Sequence, residues 1–296
     1  MNGRFAALHP LLNFLFFAFV LLISMFYLNP IFLFLSFCGA NLYLLRLHGI
    51  RGVLKQYCLL IPVMLVSIGV NIAFNHRGVT VLAYLPSGNP FTLESLQYAL
   101  AAALMFGCVI CWFRCCSAVL TSDKLLYLFG RLIPSLALLL SMTLRLLPRL
   151  SQKAKQIAAA QRGLGHRPAG GTLWGRLKGG FRVLSILLTW ALENAVDTAD
   201  SMRARGFGLR KRTAFSLYTF HRDDLVCLVL LILLFAGTVL FFLFGSAGVS
   251  YFPKFRLPPV TPLGIASGLC FAVLCLFPAG LELLEDVKWS YFRSKI

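Results

Sequence analysis

Acidic side chains are scarce in this chain. Its 296 residues include 10 Asp and Glu against 28 Lys and Arg, and charged residues make up only 13%. A soluble domain carries about 25% charged residues. With 59% hydrophobic residues and a mean hydropathy of +0.81, that shortage excludes a soluble globular domain and marks a polytopic helical membrane protein. Catalytic signatures are missing as well. There is no H-E-x-x-H, no G-x-x-x-x-G-K, no Ser/His/Asp set on facing apolar runs and no row of carboxylates within them. The chain therefore offers no residues for nucleotide hydrolysis or for a self-sufficient ion pathway, and it is expected not to be an enzyme. Arg114 is the ionisable residue inside an apolar run, close enough to one end to snorkel. The 9 cysteines include Cys108, Cys111, Cys115 and Cys116, with a C-x2-C spacing, in an apolar segment without His or carboxylate. They are read as small polarizable hydrophobes, so neither a metal nor a cofactor is expected. No small-residue cleavage site follows the first apolar run, and no cleavable signal peptide is expected.

What is abundant is apolar length. Runs at 11–28, 31–45, 57–74, 96–120, 225–245 and 262–280 are each read as one membrane pass, six in all. Asn29-Pro30 separates the first two, Arg46 to Lys55 the next two, and Thr92 is the expected N-cap of the fourth. The stretch 125–147 has only 13 residues between Arg131 and Arg145. At ~1.5 Å per residue that is too short to cross, so an amphipathic or partly embedded helix is expected, with Pro134 and Pro148 setting starts or kinks. The organisation expected is four passes in 1–121, a basic cytoplasmic region in 122–222, and two passes with a short basic tail in 223–296. With the N-terminus inside, 24 Lys and Arg fall on cytoplasmic loops and 3 on external ones. The positive-inside rule then places both termini in the cytoplasm of a plasma-membrane protein.

The basic charge is concentrated. From Lys124 to Arg222 there are 17 Lys and Arg against Glu193, Asp197 and Asp200. Two segments inside it end alike, Ala160-Gln161-Arg162-Gly163 and Ala204-Arg205-Gly206. They read as two helices, each presenting an arginine at its C-terminal end and stopped by glycine. The first is expected over about 148–161, closed by Gly163. The second, over 181–205, carries Leu184, Leu188, Ala191, Ala195 and Met202 on one face at steps of three and four. Arg before Gly is also ordinary C-cap chemistry on a solvated helix. Two such ends in one basic region suit a partner with two similar sockets.

The ordered set of motifs resembles a known family, the transmembrane T component of energy-coupling-factor importers, over roughly residues 9–224. His9-Pro10 resembles the family's opening. Phe74 to Gly78 and Phe91-Thr92-Leu93-Glu94-Ser95-Leu96 resemble its outer loop and the helix start after it. Leu144-Arg145-Leu146-Leu147-Pro148-Arg149 resembles its approach to the first coupling helix, and the two glycine-ended arginines stand where the family has paired Ala-Arg-Gly signatures. The first departs, with Gln161 where Ala is usual, so Arg162 is the residue carried over. The resemblance implies a helical membrane scaffold that holds a substrate-binding S subunit. It implies coupling helices that dock two ABC ATPases through Arg162, Gly163, Ala204, Arg205 and Gly206. The cargo would be a vitamin or a transition-metal ion such as cobalt or nickel, bound by the S subunit. Nucleic acid is not among the expected partners. The alternative is a membrane anchor whose basic surface binds anionic lipid or nucleic acid. A lipid-modifying enzyme is a third reading that lacks a catalytic set.

Overall fold

The computed structural model describes residues 3–84, 90–130, 133–165, 173–207, 209, 218–244 and 248–293. The chain is all-α apart from one hairpin. Its elements are α1 (Arg4–Ala7), α2 (Pro10–Phe26), α3 (Pro30–Phe74), β1 (Val81–Tyr84), β2 (Pro90–Thr92), α4 (Leu93–Val119), α5 (Ser122–Gly130), α6 (Pro134–Gly163), α7 (Leu173–Ala204), α8 (Arg222–Phe244) and α9 (Pro262–Arg293). β1 and β2 pair antiparallel. Two compact units emerge: residues 1–124 with 218–296, and residues 125–217.

Helix starts follow local chemistry. Proline opens α2, α3, α6 and α9, where its missing N–H is one that no helix could satisfy. His9 Nδ1 accepts from Leu11 N at 3.3 Å, and Asn29 Oδ1 accepts from Ile31 N at 3.0 Å, each satisfying a donor at the start of a helix. Thr92 caps α4 as the sequence predicts, its hydroxyl accepting from Ser95 N at 3.3 Å.

Among the described residues four helices, α3, α4, α8 and α9, are long and apolar enough to cross a membrane, and α2 is a shorter apolar helix. The 45 residues of α3 would span about 67 Å, far more than a ~30 Å hydrocarbon core. The chain breaks at Gly49, with φ 66 and ψ 179. The loop expected between the second and third apolar runs is therefore a single residue. Helix resumes at once because glycine alone takes this backbone without a Cβ clash.

The core of the larger unit is aromatic. Phe5, Phe16, Phe17, Tyr43 and Trp112 are fully or almost fully buried. Phe5 meets Phe16 edge-on at 5.1 Å and Tyr43 at 5.8 Å, while Phe16 meets Trp112 at 5.6 Å. Such pairs favour edge-to-face geometry because the ring faces are negative and the edges positive. Trp112 Nε1 donates to Ser36 Oγ at 2.9 Å, and Ser36 pairs with Ser24 at 2.8 Å, so these three polar groups are satisfied within the core, whereas the buried Tyr43 hydroxyl has no hydrogen-bond partner among the described residues. Cys108, Cys111 and Cys115 are buried on α4. The Cys108 thiol donates to Leu33 O at 3.2 Å, a small side chain at a close approach of α4 to α3. Among the described residues no three His, Cys, Asp or Glu side chains converge as a metal site would require.

The two stretches singled out on the outer loop come together. Thr92 Oγ1 donates to Arg77 O at 2.8 Å and Ser95 Oγ to Asn75 O at 2.5 Å. Thr80 Oγ1 donates to Glu94 Oε1 at 2.6 Å. Gly78 sits between them at φ 144, and a Cβ there would stand 2.6 Å from the Glu94 carboxylate. A side chain at position 78 would break the hydrogen-bonded corner.

Candidate functional site

The unit formed by residues 125–217 is built on α6 and α7. Here the structure corrects three boundaries, the first being the start of the second coupling helix, since α7 begins at Leu173 rather than at 181. Helix α6 begins at Pro134 and runs through Pro148 without ending, so the expected amphipathic stretch 125–147 is divided: its start lies in α5, and from Pro134 on it forms one helix of 30 residues with the first coupling helix. Pro148 removes one N–H, but the turns on either side carry the helix past it. Gly163 is the last helical residue rather than the stop. The left-handed residue is Gly165, at φ 79, whose N–H bonds Arg162 O at 3.1 Å. At the end of α7 the expectation holds for Gly206, at φ 76. Phe207 N donates to Met202 O at 3.0 Å and Gly206 N to Arg203 O at 2.9 Å. This is the Schellman arrangement, in which two backward bonds satisfy carbonyls the helix leaves open.

The two arginines are therefore not equivalent. Arg162 lies within the last turn of α6, and Arg205 is one residue past the end of α7. Both are exposed, as are Gly163 and Ala204; Gly206 is half-buried. Each sits where the carbonyl end of a helix favours a cation. Arg203 pairs with Asp200 at 3.8 Å, both largely in solvent, where screening leaves such a pair little net worth.

The stripe expected on α7 is divided by the structure. Leu184 and Leu188 are 54% and 60% exposed, and Ala195 is exposed. Ala191 and Met202 are half-buried. The better covered line runs through Val183, Leu187, Trp190 and Asn194, one residue round the helix. Lys153 Nζ of α6 lies 5.5 Å from the centre of the Trp190 ring, a cation–π contact that pins the two helices side by side. Periodicity gave an apolar face but could not choose between adjacent lines, because Trp190 draws its own line toward α6.

The N-terminal half of α6 and the C-terminal half of α7 border a groove of about 700 Å³. Met142, Leu146, Ala195 and Met202 give it an apolar floor, and Arg145, Arg149 and Arg205 line its walls with Asp197 as the carboxylate among them. Arg145 and Arg149 stood out in the sequence only through their motif. Their convergence with Arg205, 56 and 60 residues further along, carries no local signal. What the arrangement can do is hold an anionic or amphipathic surface: guanidinium forks for oxygen ligands above an apolar bed.

Sequence reasoning missed two buried charges in the other unit. Lys124 is 8% exposed; its ammonium donates to Ala6 O at 2.5 Å and Val119 O at 3.0 Å, and burial lowers its pKa. Asp224 is 4% exposed and accepts from the backbone N–H groups of His9, at 3.2 Å, and His221, at 3.0 Å. The second bond is a sequence-level signal in retrospect, a carboxylate at the third position of a helix reaching back to the residue that caps it.

No family model matches the chain. Three curated relatives resemble part of it. The energy-coupling factor transporter transmembrane protein EcfT 1 of Listeria monocytogenes is 33% identical over 109 residues, 36% of this chain and 41% of that protein. The EcfT of Bacillus selenitireducens is 36% identical over 106 residues, 36% of this chain and 39% of that protein. That of Lactobacillus helveticus is 33% identical over 120 residues, 40% of this chain and 43% of that protein. The chain thus spans about two fifths of the length of the curated relatives it matches. Over that stretch, this all-α membrane chain is a relative of the energy-coupling factor transporter transmembrane proteins.

Proposed function

We propose that this chain is the energy-coupling membrane subunit of an ATP-driven uptake transporter for a micronutrient, a vitamin or a transition-metal ion. The apolar helices cross the plasma membrane with both termini cytoplasmic and hold a substrate-binding S subunit. Helices α6 and α7 rest on two ABC ATPases, which carry out the hydrolysis. Arg162 and Arg205, backed by Gly163 and by Ala204 and Gly206, each enter a groove on one ATPase. Leu184, Leu188, Ala191, Ala195 and Met202 supply apolar surface toward the partners.

The observation that carries this reading is the contrast between charge and packing in residues 125–217. Two cationic helix ends stand exposed, on a unit whose large apolar side chains remain mostly uncovered. Such a unit presents its chemistry outward. The partial likeness to energy-coupling factor transporter transmembrane proteins supports a transporter membrane subunit.

The test compares two double variants of equal charge change. Arg162→Ala with Arg205→Ala removes both ends. Lys155→Ala with Lys178→Ala removes two exposed cations elsewhere; Lys153 is unsuitable because it lies over Trp190. Truncating one arginine seated in a partner groove costs about 2 kcal/mol, roughly 30-fold in affinity. Losing both ends costs more than twice one, since the contacts act as a bivalent pair. ATPase pull-down and substrate uptake are the readouts. Equal loss in the Lys155/Lys178 variant would mean that bulk charge matters, and would favour a surface for anionic lipid.

A further inference from the structure

The two stretches of the larger unit that flank residues 125–217 in the chain are fastened to the same short piece of chain. Lys124, the residue before the unit, reaches Ala6 O; with the Asn13 amide turned to satisfy its neighbours, Asn13 accepts from Lys124 at 3.1 Å and donates to Phe5 O at 2.9 Å. Asp224, a few residues after the unit, holds the N–H of His9 and, through its other oxygen, the N–H of His221. His9 also meets Phe220 edge-on at 5.0 Å, and Arg4 approaches Asp223 at 3.9 Å. The piece they share, residues 4–9, is anchored by Phe5, which is fully buried among Phe16, Phe17 and Tyr43. A side chain at Gly3 would collide with the Glu282 carboxylate, so the segment is seated against α9 as well.

Neither buried charge is explained by its own helix alone. Lys124 lies in the first turn of α5, where the positive end of the helix disfavours a cation, and its burial removes water from the ammonium. It is compensated by carbonyls at the ends of two other helices, α1 and α4. Asp224 has one oxygen for its own helix start and one for His9, 215 residues away.

We propose that Lys124 and Asp224 are positioning residues of a clasp, in which residues 4–9 tie together the two places in the larger unit, Lys124 and residues 220–224, between which residues 125–217 are inserted in the chain. Any pull on Lys124 or on residues 220–224 is then shared between the two and passes through Phe5 into the aromatic core. This step toward transport rests on the coupling reading above, but the clasp itself does not.

Hydrogen exchange on the full chain, in its assembled complex, tests it. In the unmodified protein the amides of Ala7, His9 and His221 open together, with protection alike within about threefold. Lys124→Met keeps the length of the side chain and removes the charge. It should lower protection at His221 about tenfold, although Lys124 does not bond to residue 221. Asp224→Asn should in turn deprotect Ala7. If Lys124→Met changes only α1 and leaves His221 protected, the two anchors are independent and the proposal falls. If a variant does not fold, the unmodified protein still decides: unrelated opening of Ala7 and His221 overturns the clasp. Uptake is read separately. Lost exchange coupling with normal uptake refutes the role in transport, whereas intact exchange coupling with no uptake by any assembly counts against the transporter reading alone.

Discussion

The two units are made of similar helices and differ in what those helices bury. Residues 1–124 with 218–296 hold an aromatic and aliphatic core to which α4 contributes the small buried side chains Ala99, Ala102, Ala103 and Cys108, the last at a close approach to α3. Among the described residues of 125–217, Ile157 is the one buried hydrophobic side chain. Helix α7 alone exposes Phe181, Leu184, Leu188, Leu192 and Val196. The first unit is a finished object apart from its lipid-facing surface. The second is a pair of helices with a cation–π contact, a groove and large apolar surface still open. Isolated apolar surface of that extent marks an interaction site rather than a scattered accident.

The strongest way to sharpen that contrast is a truncation on each side. Trp112→Ala removes a fully buried ring and the donor to Ser36. It should cost about 3–5 kcal/mol of stability, seen as a lowered thermal transition of the purified chain. Leu188→Ala, on a side chain that is mostly exposed, should change the same transition by less than about 0.5 kcal/mol. A large loss at Leu188 would show that α7 is packed within the isolated chain, and would break the comparison.

A charge on the open face reads the partner instead. Ala195→Glu should leave the fold of the isolated chain nearly unchanged, because the site is exposed. In the proposed assembly it should weaken association by about 2 kcal/mol or more if the face is covered there. Asp197→Ala serves as the comparison, and equal mild effects at both positions would assign the covered face elsewhere.

The helix ends offer a smaller test. Gly165→Ala and Gly206→Ala force a Cβ into left-handed backbone and should each cost about 1 kcal/mol of local helix stability. Gly206 is the tighter of the two, since its Cβ would stand 3.0 Å from Leu209 Cδ1. Gly163→Ala, at an ordinary helical position, should be neutral or slightly stabilising. Protease sensitivity near each end separates the three.

The smallest effect concerns pH at the junction of α2 and α8. Burial lowers the His9 imidazole from its ordinary 6.5, and the nearby Asp224 carboxylate offsets part of that. A base with a depressed folded pKa takes up its proton more readily when unfolded. Stability from this site is therefore complete above pH 6.5 and declines as pH falls below it toward the folded value. Amide protection at His9 should weaken in that direction, and His9→Asn should flatten the profile. Topology is checked alongside it: in a cysteine-free background, Ser250→Cys should react with an impermeant maleimide on intact cells and Asp197→Cys should not.

Much of this molecule is determined by sequence alone. The apolar run lengths locate the helical segments, because a chain in hydrocarbon must close its own backbone hydrogen bonds. His9-Pro10, Asn29-Pro30 and Thr92 set helix starts through atoms within three residues, and Gly206 sets a helix end in the same way. These are short-range effects that a local reading can see. The tertiary structure decided the rest. It replaced an expected loop by Gly49, whose left-handed backbone lets one glycine turn the chain so that the second arm of α3 comes back against the first, Tyr57 bonding Asn41. It carried α6 through Pro148 and shifted the stop from Gly163 to Gly165. It turned α7 by one residue toward Lys153 through Trp190. It also buried Lys124 and Asp224 around residues 4–9, although the two lie 100 positions apart and more than 100 from the partners that satisfy them on that segment. No periodicity records such pairings, because burial of a charge depends on which distant carbonyls and amides the fold brings to it.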